Sequence, residues 1–199
     1  MTDVIAQHNV GGGNLKKVYG SIQECQTFKL TSNITTARKC LYIRHRDAGK
    51  QGTLGNITIA IYDVGGVGKP TGPALGTVTI ASTNWSGILG IQNPMEDAGV
   101  EFSDCTLQPS TPYALVISAA DGNSSNYIYW YSNTGGYSDG ESFISTDGGG
   151  TWVAFAGEDF GFQIFGEPLP PGKAQNPTPT DNQEDIKITG KDQLKKLQW

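Results

Sequence analysis

Asn56–Asp63, NITIAIYD, decides the fold class. Ile57, Ile59 and Ile61 recur at every second position, with Thr58, Ala60 and Tyr62 between them. Side chains alternate across a β-strand, so this stretch places an apolar row on one face and smaller or more polar groups on the other. A helical period of about 3.6 residues would scatter the three isoleucines around the axis. Outward from this stretch, shorter runs of the same kind recur at Gln23–Leu30, Cys40–Arg46, Ala74–Ala81, Val100–Leu107, Tyr113–Ser118, Tyr127–Ser132, Trp152–Phe155 and Phe160–Phe165. Gly, Pro, Asn and Asp punctuate them, the signal of antiparallel strands joined by turns. No run approaches the roughly 18 apolar residues a membrane-spanning helix needs. The expected fold is all-β: an antiparallel two-sheet sandwich, jelly-roll-like, over residues 18–166.

The flanks read differently. Residues 1–17 are polar with the run Gly11–Gly13, the composition of a loose arm. Glu167–Asp181, EPLPPGKAQNPTPTD, holds five prolines and no apolar period, which predicts an extended linker. Residues 182–199, NQEDIKITGKDQLKKLQW, read as the opening of a second β domain that stops at Trp199. The chain is thus expected to be one module plus the start of the next, with further domains of the same parent chain as partners.

Charge excludes one class of partner. Residues 1–50 carry eight Lys or Arg against three carboxylates, whereas residues 51–172 carry Lys69 alone against twelve. A phosphate backbone requires clustered cations, so most of this surface repels nucleic acid. Arg38, Lys39, Arg44 and Arg46 are the one basic group, and on a strand Arg44 and Arg46 read as a solvated face. Cys25, Cys40 and Cys105 include no CxxC pair, and with two histidines in the chain they do not make a zinc site. They read as buried small hydrophobes or as one disulfide plus an odd thiol. Met1–Ile5 lacks the basic and apolar regions of a secretory leader.

Four stretches resemble a known module: Ile57–Gly72 (ITIAIYDVGGVGKPTG), Val100–Ser118 (VEFSDCTLQPSTPYALVIS), Tyr127–Gly140 (YIYWYSNTGGYSDG) and Ser145–Gly166 (STDGGGTW…DFGFQIFG). Their order resembles the choice-of-anchor R β-sandwich of phage and prokaryotic surface proteins. Residues 182–199 resemble the first strands of a fibronectin type III domain, with Trp199 as its core tryptophan. The resemblance implies an extracellular or virion-surface part used for display or attachment; it carries no catalytic residue across.

Ser145-Thr-Asp-Gly-Gly-Gly-Thr-Trp152 matches the Asp-box S-x-D-x-G-x-T-W. Ser145 and Asp147 can satisfy backbone N–H groups, Gly149 can adopt positive φ, Thr151 closes the turn, and Trp152 packs beneath it, so the expected role is a structural turn. Gly136–Gly140 has the G-x-S-x-G string of a hydrolase elbow, but no helix pattern follows Ser138 and both histidines lie upstream. Gly65–Lys69 resembles a phosphate loop, yet Pro70 replaces the hydroxyl that would hold magnesium.

Acidic loops offer two further readings. Glu96-Asp97 and Glu158-Asp159 diverge if extended, whereas Asp139 and Glu141 can share a face as the acid and base of a glycoside-cleaving enzyme. Asp121, Asp139, Glu141 and Asp147 are alternatively candidate oxygen ligands for Ca2+. Tyr127, Tyr129 and Tyr131 occupy one face of their strand and Ile128 and Trp130 the other. If Ile128 and Trp130 face the core, the tyrosines form an outward ladder, with Tyr137 and Trp85 as further exposed rings. Rings that stack on C–H faces, set among Asn, Asp and Ser, suit a glycan. The expected role is non-catalytic: attachment or display through glycans or neighbouring surface proteins. A purely structural spacer is the alternative, and a glycoside-active enzyme the third.

Overall fold

In the computed structural model, residues 3–10, 13–45, 48–84, 102, 105–134 and 136–169 are described. Asn56–Val64 is a strand whose Ile57, Ile59 and Ile61 are buried in the main core, as their alternation requires. Fully burying each such side chain contributes roughly 1.5–3 kcal/mol.

Among the described residues there are fourteen strands. In chain order they are β1 (Asp3–His8), β2 (Asn14–Val18), β3 (Gln23–Phe28), β4 (Arg38–His45), β5 (Ala48–Gln51), β6 (Asn56–Val64) and β7 (Pro70–Ala81). There follow β8 (Thr106–Leu107), β9 (Tyr113–Ser118), β10 (Tyr127–Asn133), β11 (Ser142–Ser145), β12 (Val153–Ala154), β13 (Asp159–Phe160) and β14 (Phe162–Pro168). Every pairing is antiparallel. No described helix is long and apolar enough to cross a membrane.

One layer is a six-stranded sheet in the order β12-β11-β3-β9-β6-β7. The other is divided into a sheet β1-β14-β4-β8 and a sheet centred on β10. In the latter, β2 follows one edge of β10 while β5 and β13 follow the other. The chain passes between these two smaller sheets at three places: from β1 to β2, from β4 to β5, and across Gly161 from β13 to β14. The fold is thus all-β and sandwich-like, broadly a jelly roll, with its second layer split where a single sheet was expected.

The main core lies between the layers. Phe28, Ile59, Leu115 and Ile117 of the six-stranded sheet meet Ile5, Ile164, Val18, Ile128 and Trp130 of the other layer. Trp130 stacks on Phe160 at a centroid distance of 4.3 Å and donates its indole N–H to Gly161 O at 2.7 Å. A second, smaller core covers the outer face of the six-stranded sheet, where Trp152 packs with Cys25, Ala114, Val116 and Phe143.

The loose arm expected over residues 1–17 is instead largely two strands. β1 pairs along β14, and β2 along β10. The polar look of Asn14–Val18, NLKKV, reflects its place at a sheet border, where lysines are common, and not a lack of order. β14 runs through Glu167 and Pro168, so the strand extends two residues into the segment expected to be linker. Gly65–Lys69 is a turn and not a phosphate loop: Gly65 N–H donates to Lys69 O, and strand β7 starts at Pro70 where a helix would be needed. The remaining linker, the expected second domain with Trp199, and Arg46, Glu96 and Asp97 lie outside the described residues.

Candidate functional site

The outer face of the β10 sheet carries three of the predicted aromatic residues. Ile128 and Trp130 point into the core, which turns Tyr127, Tyr129 and Tyr131 outward. In register, Tyr129 stands opposite Lys17 on β2 and Gly49 on β5, Tyr131 opposite Leu15, and Tyr127 opposite Gln51.

The three tyrosines are not equivalent. Tyr129 is only 5% exposed because its ring lies over Gly49: a Cβ there would sit 2.2 Å from the Tyr129 hydroxyl. Burial, with the neighbouring tyrosines, pushes its phenol pKa up. Tyr127 and Tyr131 stay half-buried. The Tyr131 ring meets Tyr129 edge-on at 5.6 Å, and the Lys17 ammonium sits 4.1 Å from the Tyr127 centroid, a cation–π contact. Leu15, 39% exposed, continues the apolar stripe beyond Tyr131. The face therefore consists of two accessible rings around a buried third, bordered by one cation and one aliphatic side chain.

Lys17, Leu15 and Gly49 belong to this face and were not singled out from sequence. The signal was present in NLKKV, whose Leu15 and Lys17 alternate with Lys16 and Val18, but the neighbouring glycines obscured it. Tyr137 does not join the ladder. It packs at the core border, edge-on to Phe162 at 5.4 Å and beside His8 at 5.4 Å, and its phenol donates to Lys29 O. Its backbone N–H donates to Asp159 Oδ2 at 2.8 Å, which holds it beside β13 and away from the outer face of β10. Trp85 lies outside the described residues.

The four candidate calcium ligands do not converge: among the described residues no three His, Cys, Asp or Glu side chains form a metal-holding group. Asp121 accepts the Asn56 N–H at 3.3 Å beside Gly55. Asp139 and Glu141 are exposed in the loop before β11. Asp147 is engaged within its own turn. Its Oδ1 accepts the Ser145 hydroxyl and the Thr151 N–H, each at 2.8 Å, and its Oδ2 accepts the Thr151 hydroxyl at 2.8 Å. Ser145 Oγ in turn accepts the Gly149 N–H at 2.8 Å, and Gly148 and Gly149 take φ of 77° and 95°. These donors, the Thr151 N–H foremost, hold the Asp147 carboxyl down at about 2. A carboxylate so occupied has few lone pairs left for a cation.

A second polar constellation sits inside the sandwich. Glu24 and Gln26 alternate with Cys25 on β3 and face the core. Gln26 is satisfied: its amide donates to Asp159 Oδ1 at 3.0 Å and its Oε1 accepts the Phe160 N–H at 2.7 Å. Glu24 is 1% exposed and its Oε2 has no partner. Burial pushes its carboxyl up to about 9, against the pull of Lys16 and with the push of Glu158. Glu158 moves the other way. The Ser132 hydroxyl at 2.6 Å and Lys16 Nζ at 2.9 Å hold it below the usual carboxylate range. Two carboxyls with separated proton affinities are what acid–base catalysis uses, but Glu24 is closed off from any substrate at its edge.

No protein-family model matches the chain, and no curated protein matches it.

Proposed function

We propose that this chain is a non-catalytic β-sandwich module for attachment or display, and that the outer face of β2, β10 and β5 binds carbohydrate. The observation that carries this reading is the pair of accessible rings, Tyr127 and Tyr131, turned outward from a rigid central strand. They stand four residue steps apart along the strand, about 13 Å. A ligand touching both is therefore an extended oligosaccharide rather than a single sugar. Tyr129, fixed over Gly49, keeps the strip between them flat and pre-organised, which reduces the entropy lost on binding. Lys17 and Gln51 supply donors at the border of the strip.

The test is a glycan array followed by titration of each hit against Tyr131→Ala and Tyr127→Ala. Either change is expected to weaken binding about tenfold. Binding untouched by both substitutions would remove the face from consideration. The spacer reading draws on a specific contact: Lys17 already covers one side of Tyr127, as in a face that serves only packing. An array without hits favours it. The resemblance to surface modules supports an extracellular or virion-surface location for either reading. Hydrolysis of a glycoside panel that vanished with Asp139→Asn or Glu141→Gln would replace both with an enzyme.

A further inference from the structure

The three buried cysteines occupy different surroundings. Cys25 belongs to the small core beneath Trp152, on the outer side of the six-stranded sheet. Cys40 and Cys105 both belong to the main core. β4 and β8 pair with Arg38 opposite Leu107 and Lys39 opposite Thr106, and the same register sets Cys40 opposite Cys105. The Cys40 N–H donates to Cys105 O at 2.7 Å, which continues that ladder. Directly opposed, hydrogen-bonded residues of an antiparallel pair hold their Cα atoms about 5.5 Å apart. A disulfide spans Cα separations of about 4.4–6.8 Å. The side chains also meet, since the Cys40 thiol donates a hydrogen bond to Cys105 Sγ.

We propose that Cys40 and Cys105 form a built disulfide site, closed by thiol–disulfide exchange with a small-molecule disulfide. The hydrogen bond from Cys40 lowers the pKa of the Cys105 thiol, while the same bond and burial raise that of Cys40. Cys105 is therefore the attacking thiolate. Its sulfur bonds to one sulfur of the reagent, whose S–S bond breaks and releases one small thiol. The Cys40 sulfur then attacks Cys105 Sγ, displaces the second small thiol and leaves the intramolecular bridge. The two protein sulfurs are oxidised, the two reagent sulfurs are reduced, and the protons of Cys40 and Cys105 end on the released thiols. Cys25, on the far side of the sheet, is the odd thiol and remains reduced.

The bridge would close a loop whose ends are 65 residues apart, with β5, β6 and β7 inside it. A loop of that length is expected to raise the melting temperature by about 10 °C. The experiment refolds the full chain from denaturant in a buffer of reduced and oxidised glutathione, so that burial does not limit access. Remaining thiols are then alkylated and the peptides mapped without reduction. The expected result is a Cys40–Cys105 linked peptide with Cys25 alkylated, the rise in melting temperature, and reversal of both by dithiothreitol. Cys25→Ser is expected to keep the bridge, and Cys40→Ser to trap glutathione on Cys105. A bridge that includes Cys25, glutathione retained on both Cys40 and Cys105, or refolded protein with both thiols alkylated would each overturn the proposal. The wild-type peptide map decides these outcomes even where a variant does not fold.

Discussion

Two carboxylates near the same strand have opposite fates. Glu24 faces Ile144 across the β3–β11 pair, and Asp147 lies three residues beyond Ile144 in the following turn. Asp147 stands in solvent, ringed by a backbone N–H and two hydroxyls, and holds its proton only below about 2. Glu24 occupies an inward position, has one oxygen without any donor, and keeps its proton to about 9. What separates them is the number of donors each meets and the water each keeps. The turn is built around its charge, whereas the core tolerates Glu24 only as a neutral acid.

The strongest way to break that contrast is Glu24→Gln, which replaces a protonated acid by a neutral isostere. The unfolded chain loses the Glu24 proton above its ordinary 4.5, but the folded chain retains it to about 9. Fewer protons are bound in the unfolded state across that window, so folding stability falls as pH rises from about 4.5 to about 9. The variant escapes this loss. Near pH 4 it should match the wild type, and at pH 7 it should be more stable by about 3 kcal/mol. Urea unfolding at pH 4, 7 and 9 measures the gap. A gap that stays constant with pH would mean that Glu24 is ionised in the fold and that the contrast with Asp147 is false.

A smaller effect is expected from Lys16→Met. Lys16 sits 2.9 Å from Glu158 Oε2 and 4.2 Å from the Phe155 centroid, and it is the cation that tempers Glu24. Methionine keeps the packing on Phe155 and removes the charge, at a cost of about 1 kcal/mol near neutral pH. Because the Glu158 pKa is lowered in the fold, its contribution is present above the ordinary carboxylate range and is lost as pH falls through the folded value. The cost should accordingly fade in acid. Equal destabilisation at pH 3 and pH 7 would assign it to packing alone.

The contrast also marks what could be read from sequence. Ile57, Ile59 and Ile61, and the Ile128/Trp130 row, declare their faces because a two-residue period with large apolar groups has one solution. The Asp-box turn is largely local chemistry: the Ser145 and Asp147 side chains find their partners within the string Ser145–Trp152, although Gly148 N–H also donates to Ser21 O and the Ser21 hydroxyl to Thr146 O. Glu24 is different. Its partners, Lys16 and Glu158, come from segments before and far after it, and nothing in QECQTF says that a glutamate takes the inward position. β2 and β5 were missed for a related reason: short, polar border strands owe their order to β10 and carry little signal of their own. The tyrosine face inherits this limit. The rings on β10 were legible, but the Gly49 and Lys17 that bury one and cover another come from those silent strands. The Cys40–Cys105 juxtaposition was equally hidden, because a pairing register between distant segments decides it.

The mildest test acts on the exposed member of the pair. Asp147→Asn keeps the shape of the turn but replaces one acceptor oxygen by an N–H2 group, which faces either the Thr151 hydroxyl or the Thr151 N–H. Since the Asp147 pKa is lowered from 3.8 to about 2, the wild-type advantage should be complete above pH 4 and disappear as pH falls through about 2. The turn is surrounded by water, so the loss should be local. Hydrogen exchange at the Gly149 and Thr151 amides should quicken, while the main-core amides of β6 and β9 keep their protection. Trp152 supplies the sharper reading, because it packs on Cys25, Val116 and Phe143 beneath this turn. If Asp147→Asn also released the β9 amides, the turn would be clamping the outer face of the sheet through Trp152. Asp147 would then be as much a part of the core as Glu24, despite its exposure to solvent.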